Sequence, residues 1–441
     1  MGKLTAEAAR ALGCGDAALG KAERLLRAGL LNLGTGILSD LLSADRGTRG
    51  SRVSCGNGHE AELESVRPKV VDTVLGPVTL RRAWYHCARC RHGLAPRDAE
   101  LGVTGTSMSP GLAAMNDLAA AAGPFAAAAR LLGELAGIRL TVKRVERAAE
   151  ESGAALAAAV RERAALIGAR KLVPLPPDPL PDKLYAVIDG TGVPMTSKET
   201  AGREGKGEDG KARTREVKLA VFFTQDELDE NGYPVRDRTS TSVITSFEPA
   251  AEFGKLVKAE GIRRGAGHVR QLTVIGDGAP WIWGIASEKF PEATQVVDLY
   301  HAREHLHSLA KAVEFMLGDR KGEWLAARLE DLDHGDIDGI ERAVREFPFI
   351  GVKKDEVDRE LGYFLGNAPR MRYRWFRSRG LFVGSGVVEA SCKTTIGLRL
   401  KQSGMHWRIP GADAIITLRA QEASRNWNAI CTPDGTQTHI A

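Results

Sequence analysis

Residues 183–194 read KLYAVIDGTGVP, and residues 269–279 read VRQLTVIGDGA. Each is a short apolar run, rich in β-branched residues, that ends on an acid and passes into glycine. That pattern predicts a buried strand giving way to a turn. A single aspartate at such a point is ordinarily a turn former or a helix cap. Two of them, Asp189 and Asp277, predict a shared site along one edge of a sheet. The glycines after each acid would let a phosphate backbone or a metal approach closely.

Working outward, VKLAVFFT (217–224), TSTSVITSF (239–247) and EATQVVDLY (292–300) read as further strands. AAEFGKLVKAEGIRR (250–264) reads as an amphipathic helix. PWIWGIASEKF (280–290) reads as a helix opened by proline in its first turn. SKETAGREGKGEDGKARTRE (197–216) is charged and glycine-rich and reads as an exposed loop. HAREHLHSLAKAVEFML (301–317) and the stretch from about 322 to 373 read as helical. Strands first, then helix alternating with strand, predict a mixed sheet flanked by helices. No internal repeat is evident.

Upstream, KLVPLPPDPLPDK (171–183) holds five prolines, which block helix and central strand alike. It is expected to be a linker that divides the chain. Before it we expect an N-terminal helical segment (1–50), a zinc-ribbon-like unit (51–105) and a helical region (106–170). After it we expect a catalytic domain (184–425), with a helical insertion at about 320–375, and a tail (426–441).

The chain of 441 residues is long enough for two or three cores, and 43% hydrophobic with 27% charged residues is an ordinary globular composition. The apolar runs are read as too short to cross a membrane, and the opening MGKLTAEAAR lacks the apolar core of a signal peptide. A cytoplasmic, nucleoid-associated protein is expected. The net charge of +5 is a mild pointer to nucleic acid.

Six cysteines are too few for a disulfide scaffold in so long a chain. Three of them cluster. Cys55 and His59 lie in SCGNGHEA, Cys87 and Cys90 in YHCARC, and between them KVVDTVLGPVTLRRAWYHC reads as a hairpin turning at Gly76-Pro77. Two pairs of soft ligands on turns suit a tetrahedral, structural Zn²⁺, with His86 and His92 as alternatives to His59.

PFAAAARLLGELAGIRLTVKRVERAAEESG (124–153) reads as two helices broken at Gly137, the second capped by Thr141. Lys143, Arg144 and Arg147 would point outward near its start. That fits a helix-turn-helix reading DNA, or a plain helical hairpin with a solvated basic face.

A third acid, Glu389, stands in the small and apolar stretch GSGVVEASCK, where a carboxylate is costly unless it is paired or binds a cation. Lys393, Arg399 and Lys401 follow it. Two aspartates and a glutamate offer hard oxygen ligands for two Mg²⁺ (or Mn²⁺) ions, a set that activates water and stabilises the leaving oxygen of a phosphodiester. Asp298 ends a strand too and is the alternative second acid. Residues 301–305, HAREH, also match the H-x-x-E-H pattern of zinc peptidases. That reading leaves Asp189 and Asp277 without a purpose, and no downstream helix obviously supplies its further acidic ligand. Trp281, Trp283 and Trp407 are expected to be mostly core, and Cys392 a packing residue.

The order VIDGTGVP, VIGDGAPWIW, VVDLYHAREHL, GSGVVEASCK and RLKQSGMHW resembles the ISKra4 family of bacterial insertion-sequence transposases. TVLGPVTLRRAWYHCARC and APRDAELGV resemble its zinc-ribbon-like segment. The resemblance runs from about Cys55 to Arg425. It implies a ribonuclease H-like core in an α/β mixed chain, with Asp189, Asp277 and Glu389 as a DDE triad. It also implies that Asp298 and His301 match a C/D-x-x-H signature, His301 supporting the site from the strand end. The implied activity is cleavage at the element's ends and strand transfer into target DNA. A homodimer or larger assembly would hold the two ends, Lys143, Arg144, Arg147, Lys393, Arg399 and Lys401 would contact DNA, and a silent copy would act as a DNA-binding protein.

Overall fold

The alternation upstream of Cys87 becomes a long antiparallel hairpin. In this computed structural model, which describes residues 2–13, 18–205, 210–348 and 351–424, four strands form the first sheet. They are β1 (Arg52–Ser54), β2 (Glu60–Thr73), β3 (Gly76–Cys87) and β4 (His92–Leu94), paired antiparallel in that order. The turn needs glycine: Gly76 has a φ of 130°, and a Cβ there would lie 2.9 Å from the Thr35 hydroxyl. Val71, Val78 and Leu80 project from one face of the hairpin and pack with Val103, Leu38 and Leu42.

Leu38 and Leu42 come from a single helix, Ala18–Ala44. One helix is an exception to the reading that the apolar runs are too short. By length and composition alone this helix is long and apolar enough to cross a bilayer. Its apolar character is hard to see in the sequence because charged residues in its first half break the run, while 28–39 carry no charge at all. Its inner side lies on the hairpin, with the Thr35 hydroxyl donating to Leu75 O at 2.7 Å. Leu26, Leu30, Leu33 and Ile37 face out and are exposed.

The helical region follows. Ser109 caps Pro110–Ala122, its hydroxyl accepting from Leu112 N. Phe125–Leu131 runs into a π turn, Leu132–Ala136, that ends at left-handed Gly137. Thr141 Oγ1 then accepts from Arg144 N at the start of Val142–Gly168. The chain forms two compact units, Met1–Ser152 and Gly153–Trp427, that part inside this last helix. Packing decides it: Ala164 and Ile167 are buried against Leu256 and Ala259, so the end of the helix belongs to the second core.

The second sheet is mixed. It comprises β5 (Lys183–Pro194), β6 (Thr214–Leu228), β7 (Pro234–Arg236), β8 (Ser242–Ser246), β9 (Gln271–Gly276) and β10 (Thr294–Val297). β6 pairs antiparallel with β5 on one side, and with β8 and then β7 along the other. β9 joins the free side of β5 in parallel, and β10 joins β9 in parallel. The spatial order of the five main strands is therefore β8-β6-β5-β9-β10. Central β5 is buried without interruption from Leu184 to Ile188, as a strand covered on both faces must be. Helices Ala250–Arg263 and Pro280–Lys289 connect the later strands, matching the expectation. The charged loop holds a short helix, Ser197–Thr200, and residues 206–209 lie outside the described residues. From Lys321 to Asn367 the chain is helical apart from short turns and residues 349–350, which are not described. The expected tail, 426–441, also lies outside the described residues.

Candidate active site and metal centre

The two sets of candidate ligands differ in how they are assembled. In the first unit, β1 and β2 bracket the turn carrying Cys55 and His59, and β3 and β4 bracket Cys87 and Cys90. Strand pairing brings these turns together, and Cys55 N donates to His59 O at 2.9 Å. The four ligand atoms all lie within 4.8 Å of one another. Cys55 Sγ is 3.8 Å from Cys90 Sγ, and His59 Nδ1 is 3.2 Å from Cys90 Sγ. Two thiolates bound tetrahedrally at the usual Zn–S length would sit about 3.8 Å apart, so the set has zinc dimensions. Cys55 and Cys87 are buried beside Ala61, Ala83 and Tyr85. His59 fills the fourth position, and neither His86 nor His92 belongs to the group. This Cys/His centre could hold a metal such as zinc, with all four protein positions occupied.

In the second unit the acids come from distant segments. Asp277 and Asp298 directly follow parallel strands β9 and β10, as expected. Asp189 does not end its strand. β5 continues through the glycines to Pro194 because β6 pairs with it throughout, Asp189 facing Leu219 in register. What ends near Asp189 is the pairing with β9, whose last partner is Val187. Asp189 therefore still lies at the edge where the parallel half of the sheet stops. Burial raises its carboxyl above the ordinary range, the Cys392 thiol and Gly190 N–H oppose that rise, and the negative charge of Asp277 adds to it. His301 acts on Asp189 in the opposite sense, so Asp189, Asp277 and His301 share one neighbourhood.

Glu389 is where expectation and structure part most. It is not buried. Its side chain is 65% exposed and pairs with Lys393 at 2.5 Å, one helical turn away. Valines and small residues surround it in sequence, but its helix, Gly386–Ser391, turns Val388 inward and Glu389 outward. That helix still reaches the acids: three residues further on, Cys392 Sγ donates to Asp189 Oδ2 at 3.2 Å. Burial and the neighbouring Asp189 hold the Cys392 thiol well above its ordinary range, so it stays protonated. Glu389 does not join Asp189 and Asp277 at single-ion distance, for among the described residues the Cys/His set alone gathers three or more ligands.

Asp298 is fully engaged. Oδ1 accepts from Tyr300 N at 2.6 Å and His301 N at 3.0 Å, capping helix Leu299–Ala312. Oδ2 accepts from Ser385 N at 2.5 Å, and Leu299 N donates to Val383 O. It positions the loop before the Glu389 helix, which leaves Asp277 as the more open second acid. His301 is corrected from the strand end to the first turn of that helix.

The H-x-x-E-H residues do not form a zinc site, although a downstream helix does bring them an acid. Glu360, from Gly351–Asn367, meets His305 Nδ1 at 2.7 Å and also Arg359. His301 Nδ1 turns to exposed Glu304 at 3.3 Å. Nothing in the sequence pointed to Tyr363, from the same distant helix. Its hydroxyl donates to Asp277 O at 2.9 Å, and its ring stacks on His305 at 3.7 Å. Gly278, with a φ of 105°, has no side chain because a Cβ would come within 2.5 Å of that ring.

The basic residues named for DNA divide. Lys143 and Arg147 are exposed and pair loosely with Glu146 and Glu151. Arg144 is turned back onto Asp72 at 2.5 Å and onto Ser107, so it braces the helix against the hairpin. Lys393 holds Glu389, and Lys401 donates to Thr191 Oγ1 at 2.5 Å. Arg399 is corrected outright. It is fully buried, with its guanidinium 4.9 Å from the Trp407 ring, and cannot reach DNA. Trp283 and Trp407 are buried as expected, and Trp281 is half-buried. No protein-family model matches the chain, and no curated protein matches it.

Proposed function

We propose that the chain is a DNA transposase of the DDE type with a ribonuclease H-like core. The observation that carries this reading is the placement of Asp189 and Asp277 at one sheet edge, each two residues beyond the last paired residues of neighbouring strands, Val187 and Ile275, with the charge of Asp277 adding to the rise of the Asp189 carboxyl. A pair of crowded, partly buried carboxylates is relieved by a cation, so these oxygens fit Mg²⁺ or Mn²⁺. The strand order supports the core: of the main strands, antiparallel β5, β6 and β8 come first, then parallel β9 and β10, with Asp189 on β5 and Asp277 just after neighbouring β9.

Asp189, Asp277 and, from the Cys392 helix, Glu389 would hold the ions. Bound there, they would supply an activated hydroxide and neutralise charge on the leaving oxygen of a phosphodiester. The protein's own part is placement. Asp298 fixes the loop that leads into the Glu389 helix, Tyr363 pins the turn after Asp277, and the Cys392 thiol holds one oxygen of Asp189. The freed DNA 3′-hydroxyl would then attack a target phosphodiester at the same edge, forming the new bond as the target's own 3′-oxygen leaves with the proton balance closed by solvent, without a covalent protein intermediate. Two ends imply two subunits. The outward row Leu26, Leu30, Leu33 and Ile37 has the alternating four-and-three spacing of a two-helix seam, which supports a second copy as partner.

The test uses DNA flanking the gene as substrate with Mg²⁺. Wild type should nick and join it, and Asp277→Asn should lose at least about 100-fold, since even outer-shell partners of a metal site are worth 10–100-fold. Normal cutting by Asp277→Asn would sink the assignment. Tight binding of the ends without cutting by wild type would favour a silent, DNA-binding copy.

A further inference from the structure

The segment RMRYRWFRSR, residues 370–379, has five arginines in ten positions and none of the roles described so far. Tyr373 and Phe376 of the short helix Tyr373–Ser378 are fully buried and fix the segment to the core. The other side is open. Trp375 is 39% exposed, with the Arg372 guanidinium 4.6 Å and the Arg379 guanidinium 5.0 Å from its ring. The inner side of the indole packs edge-on against Phe376 at 5.4 Å, which explains its buried part but not the two guanidiniums against its ring. The ring holds two long, otherwise mobile cations in place, with their N–H forks free for oxygen ligands.

The charge is also left uncompensated. Asp333 is taken by Arg303 and Arg377, and Asp182 by Arg270. Among the described residues no carboxylate pairs with Arg372, Arg374 or Arg379. Arg379 also lines a cavity of about 250 Å³ with Lys183, Arg270, Gln271 and Leu381. Lys183 begins β5, six residues before Asp189, so the surface lies about 20 Å along the strand from the acids.

We infer that Arg372 and Arg379, ordered by Trp375, together with exposed Arg374 and continued by Lys183, form a second DNA surface that grips phosphates away from the cutting edge. The inference rests on the DNA reading proposed above and assigns it a binding face. Guanidiniums already held by stacking lose less rotamer freedom on meeting a phosphate, and a row of them favours a polyanion over a single acidic group.

The test measures binding of a fluorescein-labelled, random-sequence duplex by the full chain across a salt series. The variants are Arg372→Ala/Arg379→Ala and Arg372→Lys/Arg379→Lys, each checked for an unchanged thermal melt. The alanine pair should reduce the slope of log affinity against log salt by about 2, one for each phosphate that is no longer neutralised. The lysine pair should keep the slope and bind more weakly than wild type. An alanine pair with the wild-type slope would overturn this surface and leave the transposase reading intact. A wild-type protein that binds no duplex at all would overturn both.

Discussion

The Cys/His centre and the acidic edge are both candidate metal sites, and they are built in opposite ways. Cys55, His59, Cys87 and Cys90 sit on turns that adjacent strand pairs must bring together, so the hairpin delivers four ligands as soon as it forms. Asp189, Asp277 and Glu389 span 200 residues, and the fold delivers two while the third faces solvent against Lys393. With a metal bound, the first arrangement would spend its ligands on stability. On the proposed reading, the second keeps a buried carboxylate, Asp189, that costs stability until a cation or substrate arrives, as functional sites often do.

The two sites should therefore respond to substitution with opposite signs. The largest effect is expected at the first. Chelation, or Cys87→Ser, should remove one zinc per chain by elemental analysis and lower the melting temperature by more than about 10 °C, since structural zinc contributes its binding free energy to folding. A melt indifferent to chelator would leave the hairpin held by Tyr85 and its apolar neighbours alone. Next comes Asp298→Ala, which removes a helix cap and strands Ser385 N–H. A loss of about 2–4 kcal/mol is expected in denaturant unfolding, the sum of a cap and an unpaired buried donor. A loss below about 1 kcal/mol would mean that the loop before Glu389 is held by something else.

The same contrast decides what sequence could reveal. The hairpin and its ligands were legible because every partner lies within 36 residues and the alternation fixes the register. Asp277 and Asp298 were legible as ends of strands, though not the parallel pairing of those strands. The true extent of β5 was not, because its glycines resemble a turn and only pairing with β6 keeps them extended. The direction of Glu389 was lost for a related reason: the small residues around it fit either face of a helix, and packing of Val388 chooses. Arg399 looked like a surface cation because nothing local reveals the Trp407 ring that covers it. Tyr363 had no signal at all, since its partner Asp277 lies 86 residues away.

Asp189→Asn is the sharper test of the acidic edge, and it should stabilise. Burial and Asp277 raise the Asp189 carboxyl, so the folded state holds its proton more tightly than the unfolded chain. Without metal, stability from this group is greatest in acid and falls as pH rises from the unfolded value through the raised folded one. The amide removes that loss. Its melting temperature should exceed wild type at neutral pH in chelator, by less than the Asp298 variant loses, and added Mg²⁺ should reverse the order by stabilising wild type alone. An amide variant less stable than wild type in chelator would mean that Asp189 is structural.

The smallest effect belongs to Lys393→Ala. An exposed ion pair one turn apart on a helix contributes little, so stability should change by no more than about 0.5 kcal/mol. Its value lies in what the lysine withholds. If Glu389 is the third ligand, Lys393 competes with the cation for it, and the variant should respond to lower Mg²⁺ in both melting and DNA cutting. Lys393→Arg keeps the competing charge and should behave as wild type. A variant whose Mg²⁺ dependence is unchanged would separate Glu389 from the metal and leave Asp189 and Asp277 to hold it without a third carboxylate from this helix.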